Sequence, residues 1–171
     1  MTPYMVAQLL GSVLGVLAAC AVWGPVVAGS SIAYAVLQPG PGWSTISLFV
    51  AETLSMAVIV LLVGLSLAEP RLAPFVPWIV GGAIGMAIVM LGTSTGGSVN
   101  PARQFGPALL SGQTRFLWVY LLAPMAGAML ATWLRQTVQG HRFVLTHRLC
   151  GTRRDGSSLS APTSKGFRFD R

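Results

Sequence analysis

Long apolar runs separated by short polar stretches make up most of the chain. A helix needs about 20 mainly apolar residues to cross the hydrocarbon core of a bilayer. Four runs reach or approach that length, at residues 4–23, 46–67, 75–91 and 116–134. The pattern predicts an all-α, polytopic membrane protein with about four transmembrane spans.

One polar stretch leads directly into a shorter apolar segment, at residues 95–110 with the sequence TGGSVNPARQFGPALL. Asn100 is a favoured N-cap for a helix, and Pro101 suits the first helical position, where no amide is needed. Gly106 and Pro107 limit this helix to about two or three turns, too few to span a bilayer. We therefore predict one re-entrant half-helix that begins next to Asn100.

The start of this half-helix has a distinctive charge. Its N-terminus carries about half a positive charge, and Arg103 adds a permanent cation one turn further on. Inside a membrane such a site repels cations and protons while it donates hydrogen bonds to neutral solutes, and carbonyls around Gly96 to Ser98 offer acceptors. The alternative is an ordinary capped surface helix with a solvated arginine, but the hydrophobic spans on both sides argue against it.

Composition supports a membrane protein and places the basic end of the chain. Hydrophobic residues make up 53% of the sequence and charged residues only 9%, whereas soluble domains carry about 25% charge. The net charge is +7, and seven of the eleven Lys and Arg residues lie between Arg142 and Arg171. Under the positive-inside rule this asymmetry indicates a cytoplasmic tail rather than a nucleic-acid partner. We divide the chain into a transmembrane domain, residues 1–140, and a basic disordered tail, residues 141–171.

Counting spans back from a cytoplasmic tail gives the topology. The uncharged Gly- and Pro-rich stretch at residues 24–45 then lies outside, and the short link around Arg71 lies inside. Both positions agree with the charge rule. We expect both termini to be cytoplasmic and the half-helix to enter from the outer face, in a plasma membrane.

Residues 96–109, GGSVNPARQFGPAL, resemble the second signature loop of the major intrinsic protein family, the aquaporins and glycerol facilitators. The order of Asn100, Pro101, Ala102 and Arg103 carries the resemblance together with the residues 105–108. It implies an aquaporin-like helical bundle and a passive channel without cofactor or metal. It also implies a homo-oligomer, a tetramer in this family.

Glu52 is the acid within the predicted spans. It could lie at headgroup level near a helix start, where the macrodipole favours it, or be a buried acceptor for loop amides, since acids inside membranes are usually paired. The resembling family carries a buried Glu in the corresponding helix. The resemblance therefore favours Glu52 as a brace of the signature loop.

A short spacing pattern is shared by the first and fourth spans, whose predicted orientations are opposite, as in inverted repeats. The pattern consists of Ala7, Gly11 and Leu14 in one and Ala123, Gly127 and Leu130 in the other. By resemblance, residues 46–134 form a complete second repeat, while the first two transmembrane helices and the first Asn-Pro-Ala motif of the family are missing. Late translation start, a split or decayed gene, and a complementing chain are the three explanations.

The resemblance also assigns the narrowest ring of the pore. Its members here are Ile88, Gly97 and Arg103, and Asn100 donates at the half-helix tip. From the residues alone, Ile88 can equally be a packing residue and Gly97 a plain turn glycine. An aliphatic side chain and a glycine make a wide ring that admits glycerol-sized solutes as well as water.

Other positions give conflicting indications of the solute. By resemblance, Gln104, Ala108 and Tyr120 are closer to water channels, whereas Leu121 is closer to glycerol facilitators. The preferred solute stays open.

The leading hypothesis is a passive channel for water and small neutral solutes such as glycerol, present as a truncated or incomplete pore. The alternative is a non-conducting remnant or a partner subunit of an intact channel. A secondary transporter half would need an ionisable coupling residue, and Glu52 is the available acid. An enzyme is not expected, since no cluster of nucleophile, base or metal ligands is present.

Overall fold

The computed structural model describes residues 2–139, and these residues form an all-helical bundle. The helices are α1, Thr2–Trp23; α2, Thr45–Ala68; α3, Val76–Leu91; α4, Pro101–Ser111; and α5, Leu117–Gln139. Short 3-10 turns at Gly24–Ala28, Ala33–Ala35 and Ala73–Phe75 lie in the connections. The prediction of an all-α fold is confirmed, and the predicted tail, residues 141–171, lies outside the described residues.

Four helices are long and apolar enough to cross a membrane. They are Thr2–Ala28, Thr45–Ala68, Ala73–Leu91 and Leu117–Val138, when the adjoining 3-10 turns are included. Their mean hydropathy lies between 1.6 and 2.4. The predicted spans are confirmed, and the last one extends beyond the predicted end at residue 134.

The short helix α4 begins where the sequence predicts and passes through both residues that were expected to limit it. It starts at Pro101 after the N-cap Asn100 and runs for 11 residues, about 16 Å at 1.5 Å per residue. It continues through Pro107 and stops at Gly112, whose φ of 71° is left-handed. These 11 residues make about three turns, which agrees with the predicted length of two or three turns, but the helix does not end at Gly106 or Pro107. A proline removes only one helical hydrogen bond, and Gly112 provides the αL conformation that commonly closes a helix.

The core lies between α2 and α5, the most extensive helix pair. Leu48 of α2 and Val119, Tyr120 and Ala123 of α5 are fully buried there. The backbones approach closely at Gly127, where a Cβ would collide with the carbonyl of Thr53. This helix pair is the frame that holds the other elements.

The helix α1 packs on α4 and α3 packs on α2, but neither α1 nor α3 contains a buried residue. These two helices contain five glycines. At each of them an added Cβ would meet nothing within 4 Å among the described residues: Gly11, Gly15, Gly81, Gly82 and Gly85. These faces of α1 and α3 are open within residues 2–139.

Candidate functional site

The half-helix α4 presents its N-terminus at Asn100. This residue is extended, with φ of −150° and ψ of 115°, and its side-chain oxygen accepts a hydrogen bond from the amide of Ala102 at 3.0 Å. Pro101 occupies the first helical position, where its missing amide leaves no donor unpaired. Asn100 is exposed within the described bundle.

The loop before α4 is held from behind by Glu52 of α2. This carboxylate is fully buried. One oxygen accepts from the hydroxyl of Thr95 at 2.8 Å and the amide of Ser98 at 3.1 Å. The other oxygen accepts from the amide of Val99 at 2.9 Å. Three donors on the loop thus converge on one carboxylate, which is how a buried acid is kept paired.

These amide contacts decide where the loop carbonyls point. In a trans peptide the N–H and the preceding C=O point in opposite directions, and the described chain contains no cis peptide. Because the amide of Ser98 faces Glu52, the carbonyl of Gly97 faces the opposite side. Arg103 lies there and donates from Nη1 to the carbonyl of Gly97 at 2.9 Å and that of Gly96 at 3.5 Å.

The predicted ring residues Gly97 and Ile88 are neighbours. Gly97 has a φ of 54°, and an added Cβ would lie 3.0 Å from the carbonyl oxygen of Ala87 and 3.2 Å from the Cα of Ile88. A side chain at this position would therefore be both strained and blocked. Ile88 itself is 41% exposed. Gly97 therefore lies between the other two predicted ring residues: it is adjacent to Ile88, and its carbonyl accepts from Arg103.

A second anchor of the loop comes from α5. The hydroxyl of Tyr120 donates to the carbonyl of Thr95 at 2.6 Å, and both residues are fully buried. The hydroxyl of Thr95 also accepts from the amide of Gly97 at 3.1 Å. Sequence reasoning used Tyr120 only as an indicator of solute and missed this contact. The signal was the tyrosine hydroxyl on an otherwise apolar helix, because a buried tyrosine hydroxyl usually needs a hydrogen-bond partner.

Gln104 of α4 holds the connection between α1 and α2, residues 24–44, and its partner was also missed. It is fully buried, and its carboxamide accepts from the amide of Leu37 and donates to the carbonyl of Leu37, both at 2.9 Å. The side chain therefore pairs with both backbone groups of one residue. The signal in the sequence was a polar Gln directly after Arg103 in an apolar half-helix, but sequence alone does not locate the segment with which it pairs.

Ser12 fastens α1 to the middle of α4. Its hydroxyl accepts from the amide of Gly106 at 2.8 Å and donates to the carbonyl of Ala102. Those two groups are four residues apart in α4, so the hydroxyl bridges partners of the helical ladder. An added Cβ at Gly106 would collide with the backbone of Ser12. The glycine is what allows α1 to approach this closely.

An open groove runs between α1 and α4, with a volume of about 840 Å³. Its wall is mainly apolar, and small residues of α1 such as Gly11 and Gly15 line one side. Ala102 and Arg103 of α4 line the other. Asn100, Gly97 and Ile88 do not border this groove. Arg103 is the charged residue in the lining.

A family model described as "Major intrinsic protein" matches residues 1–135. The chain therefore belongs to the major intrinsic protein family, and the resemblance carried by residues 96–109 is confirmed. An integral membrane protein built from apolar helices follows from this membership and from the four spans.

Several aquaporins are similar to the chain. Aquaporin NIP3-1 of Oryza sativa subsp. japonica is 35% identical over 127 residues, 74% of this chain and 39% of that protein. Aquaporin TIP2-3 of Arabidopsis thaliana is 34% identical over 131 residues, 75% of this chain and 50% of that protein. "Probable aquaporin AqpM" of Archaeoglobus fulgidus is 34% identical over 140 residues, 77% of this chain and 56% of that protein. The chain spans about half the length of these relatives.

Proposed function

We propose that the protein is a passive channel for water and small neutral solutes, with glycerol as a candidate, and not an enzyme. The observation that carries this proposal is the arrangement around Arg103. Glu52 accepts the amide of Ser98, so the carbonyl of Gly97 faces away from it and towards the guanidinium, which also donates to the carbonyl of Gly96. A cation beside a row of acceptors, at the N-terminus of a half-helix, favours uncharged hydrogen-bonding solutes over cations.

In this proposal each residue has a separate role. Asn100 donates a hydrogen bond to a solute at the tip of α4, and Pro101 and Ala102 build the turn that presents it. Arg103 donates from the side and raises the barrier for cations. Glu52 is the structural brace of the loop and does not contact the solute.

Ile88 and Gly97 are proposed to set the width of the pore. A glycine carries no side chain into the ring, and Ile88 is half exposed next to it. The wall is therefore wide and apolar at this point. Such a ring passes molecules of glycerol size as well as water, because neither residue adds a polar group that selects for water alone.

We further propose that the pore is completed on the open face of α1. The groove between α1 and α4, which Arg103 lines, is open within the described bundle. Further helices, supplied by another chain or by other copies in a homo-oligomer such as a tetramer, would close it. The protein is placed in the plasma membrane with both termini in the cytoplasm, as the basic residues 142–171 favour.

The test is osmotic shrinkage of vesicles that contain the full chain, followed by light scattering. We expect water flux above that of protein-free vesicles and a low proton leak. Arg103→Ala should raise proton and cation leak, because a charge about 4 Å from a passing ion is worth on the order of 1 kcal/mol in water, roughly fivefold in rate. Arg115→Ala, which removes an exposed arginine in the turn before α5, is the matched control. Equal leaks in the two variants would contradict the role of Arg103.

A second candidate function is a non-conducting partner subunit of an intact channel. The observation that favours it is the unoccupied face of α1, where Gly11 and Gly15 meet nothing within 4 Å. Water flux equal to that of bare lipid, at a protein density verified by quantitative staining, would support this candidate over the channel.

A further inference from the structure

Gln104 joins the half-helix α4 to the connection between α1 and α2. It lies on α4, one residue after Arg103, and its carboxamide is fully buried. Its carboxamide oxygen accepts from the amide of Leu37, and its nitrogen donates to the carbonyl of Leu37, both at 2.9 Å. Leu37 lies in the connection between α1 and α2. An amide side chain is suited to this, because it carries a donor and an acceptor, whereas an ionised carboxylate only accepts.

Leu37 is in turn packed against the loop before α4. At Gly96, whose φ is 85°, an added Cβ would lie 2.9 Å from the Cβ of Leu37. The same connection is tied to the loop a second time, since the amide of Gly40 donates to the carbonyl of Ser94 at 2.7 Å. The segment 37–40 therefore covers the outer side of the loop.

The loop is thus held between two walls. Leu37 borders Gly96 on one side, and the backbone of Ala87 and Ile88 borders Gly97 on the other. The carbonyls of these two glycines are the groups that receive Arg103. A shift of Leu37 would give Gly96 room to move, and the acceptors of the guanidinium would move with it.

We propose that Gln104 is a positioning residue: by pairing with both backbone groups of Leu37 it holds Leu37 against Gly96 and so fixes the glycine carbonyls that orient Arg103. The residue next to the arginine then sets the geometry of the outer mouth without touching a solute. This inference rests on the proposed function for its consequence in transport, but its structural part is testable whether or not the chain conducts.

The structural test is amide hydrogen exchange of the full chain in nanodiscs, read by mass spectrometry. Gln104→Met keeps the size of the side chain and removes both hydrogen bonds. We expect about tenfold faster exchange in peptides covering 36–43, as loss of one buried hydrogen bond predicts, and faster exchange in peptides covering 93–99. Peptides from α2 should stay at the wild-type rate. Gln113→Met, at an exposed glutamine, is the matched control and should change nothing.

A second variant separates the hydrogen bonds between Gln104 and Leu37 from the contact between Leu37 and Gly96. Leu37→Ala removes the side chain that borders Gly96 and leaves the backbone groups that pair with Gln104. We expect faster exchange at 93–99 with the amide of residue 37 still protected. Two results would overturn the proposal: wild-type exchange of 93–99 in Gln104→Met, or an equal acceleration of α2, which would mean that Gln104 only stabilises the fold.

The transport test is the ratio of glycerol flux to water flux in vesicles. A purely structural loss lowers both fluxes in proportion to the folded protein, whereas a displaced Arg103 changes their ratio. We expect Gln104→Met to change the ratio and Gln113→Met to leave it at the wild-type value. If the wild type does not conduct, the proposed function fails and hydrogen exchange alone decides the role of Gln104. An unchanged ratio in a conducting Gln104→Met variant would overturn the inference.

Discussion

Glu52 uses its charge to order a loop that has no regular structure of its own. Val99 adopts a φ of 41°, a conformation that a β-branched residue rarely takes and that costs on the order of 1–3 kcal/mol. The hydrogen bond from its amide to Glu52 at 2.9 Å helps to hold it there. The carboxylate accepts two further donors, so one side chain helps to offset the cost of this backbone angle.

Glu52→Gln should be strongly destabilising although it preserves size. A carboxamide offers one acceptor oxygen, so its NH2 group would face either the amide of Ser98 or that of Val99. Hydrogen bonds to charged groups contribute about 1.5–3 kcal/mol each, and we expect a loss of about that size in the free energy of unfolding. The measurement is an SDS titration followed by tryptophan fluorescence. Glu69→Gln, at an exposed acid, should leave the midpoint in place, and equal midpoints for both variants would contradict the brace.

Tyr120→Phe tests the second anchor of the same loop. It removes the hydroxyl that donates to the carbonyl of Thr95 at 2.6 Å and leaves that carbonyl buried without this donor. We expect a loss of about 1–1.5 kcal/mol in unfolding free energy. Tyr4→Phe, at a residue that is 70% exposed, is the control. A Tyr120→Phe midpoint that matches Tyr4→Phe would show that the hydroxyl contributes nothing.

Among the elements, α2 and α5 depend on the absence of a side chain at Gly127. The carbonyl of Thr53, the Cβ of Met56 and the amide of Ala57 surround the position of a Cβ there. Because two of these are backbone groups, they cannot move aside without shifting a helix. The helices are also joined by the hydroxyl of Thr53, which donates to the carbonyl of Ala123 at 3.2 Å.

Gly127→Ala should therefore destabilise the pair of helices. Overpacking a close contact costs about 1–3 kcal/mol, more than the gain in helix propensity of about 1 kcal/mol. Gly81→Ala in α3 meets nothing within 4 Å, so only the propensity gain applies and its unfolding midpoint should stay or rise. The comparison uses the same SDS titration. A stabilised Gly127→Ala would mean that the close contact is absent in the membrane.

The elements were more predictable from sequence than their contacts. Length and hydropathy gave the four spans, and the Asn-Pro pair gave the start of α4, because both signals are local. The length of α4 agreed with the prediction, but its terminator did not: the helix passes through Pro107 and is closed by Gly112, because a proline removes only one helical hydrogen bond. The pairing of Gln104 with Leu37 joins residues 67 positions apart, and nothing local encodes it.

On the scale of the whole molecule, α1 and α5 share a spacing of small residues but not a packing partner. Gly127 of α5 is covered by α2, whereas Gly11, its counterpart in the shared pattern, meets nothing within 4 Å. The same face of α1 lines the groove that contains Arg103. If the two helices are equivalent members of inverted repeats, a further helix can pack on α1 at Gly11 in the way that α2 packs on α5 at Gly127.

Gly11→Leu separates assembly from folding. Its side chain would enter the open groove and block a helix supplied by another copy or another chain, while a Cβ at this position meets nothing within 4 Å in the described bundle. We expect an unchanged SDS unfolding midpoint, a lower oligomeric mass by light scattering in mild detergent, and lower water flux in vesicles. Gly81→Leu adds the same bulk to α3, where an added Cβ also meets nothing and the groove is remote, so it controls for bulk alone. Wild-type mass and flux in Gly11→Leu would rule out completion of the pore on this face, because a helix packed there as α2 packs on Gly127 leaves no room for a leucine.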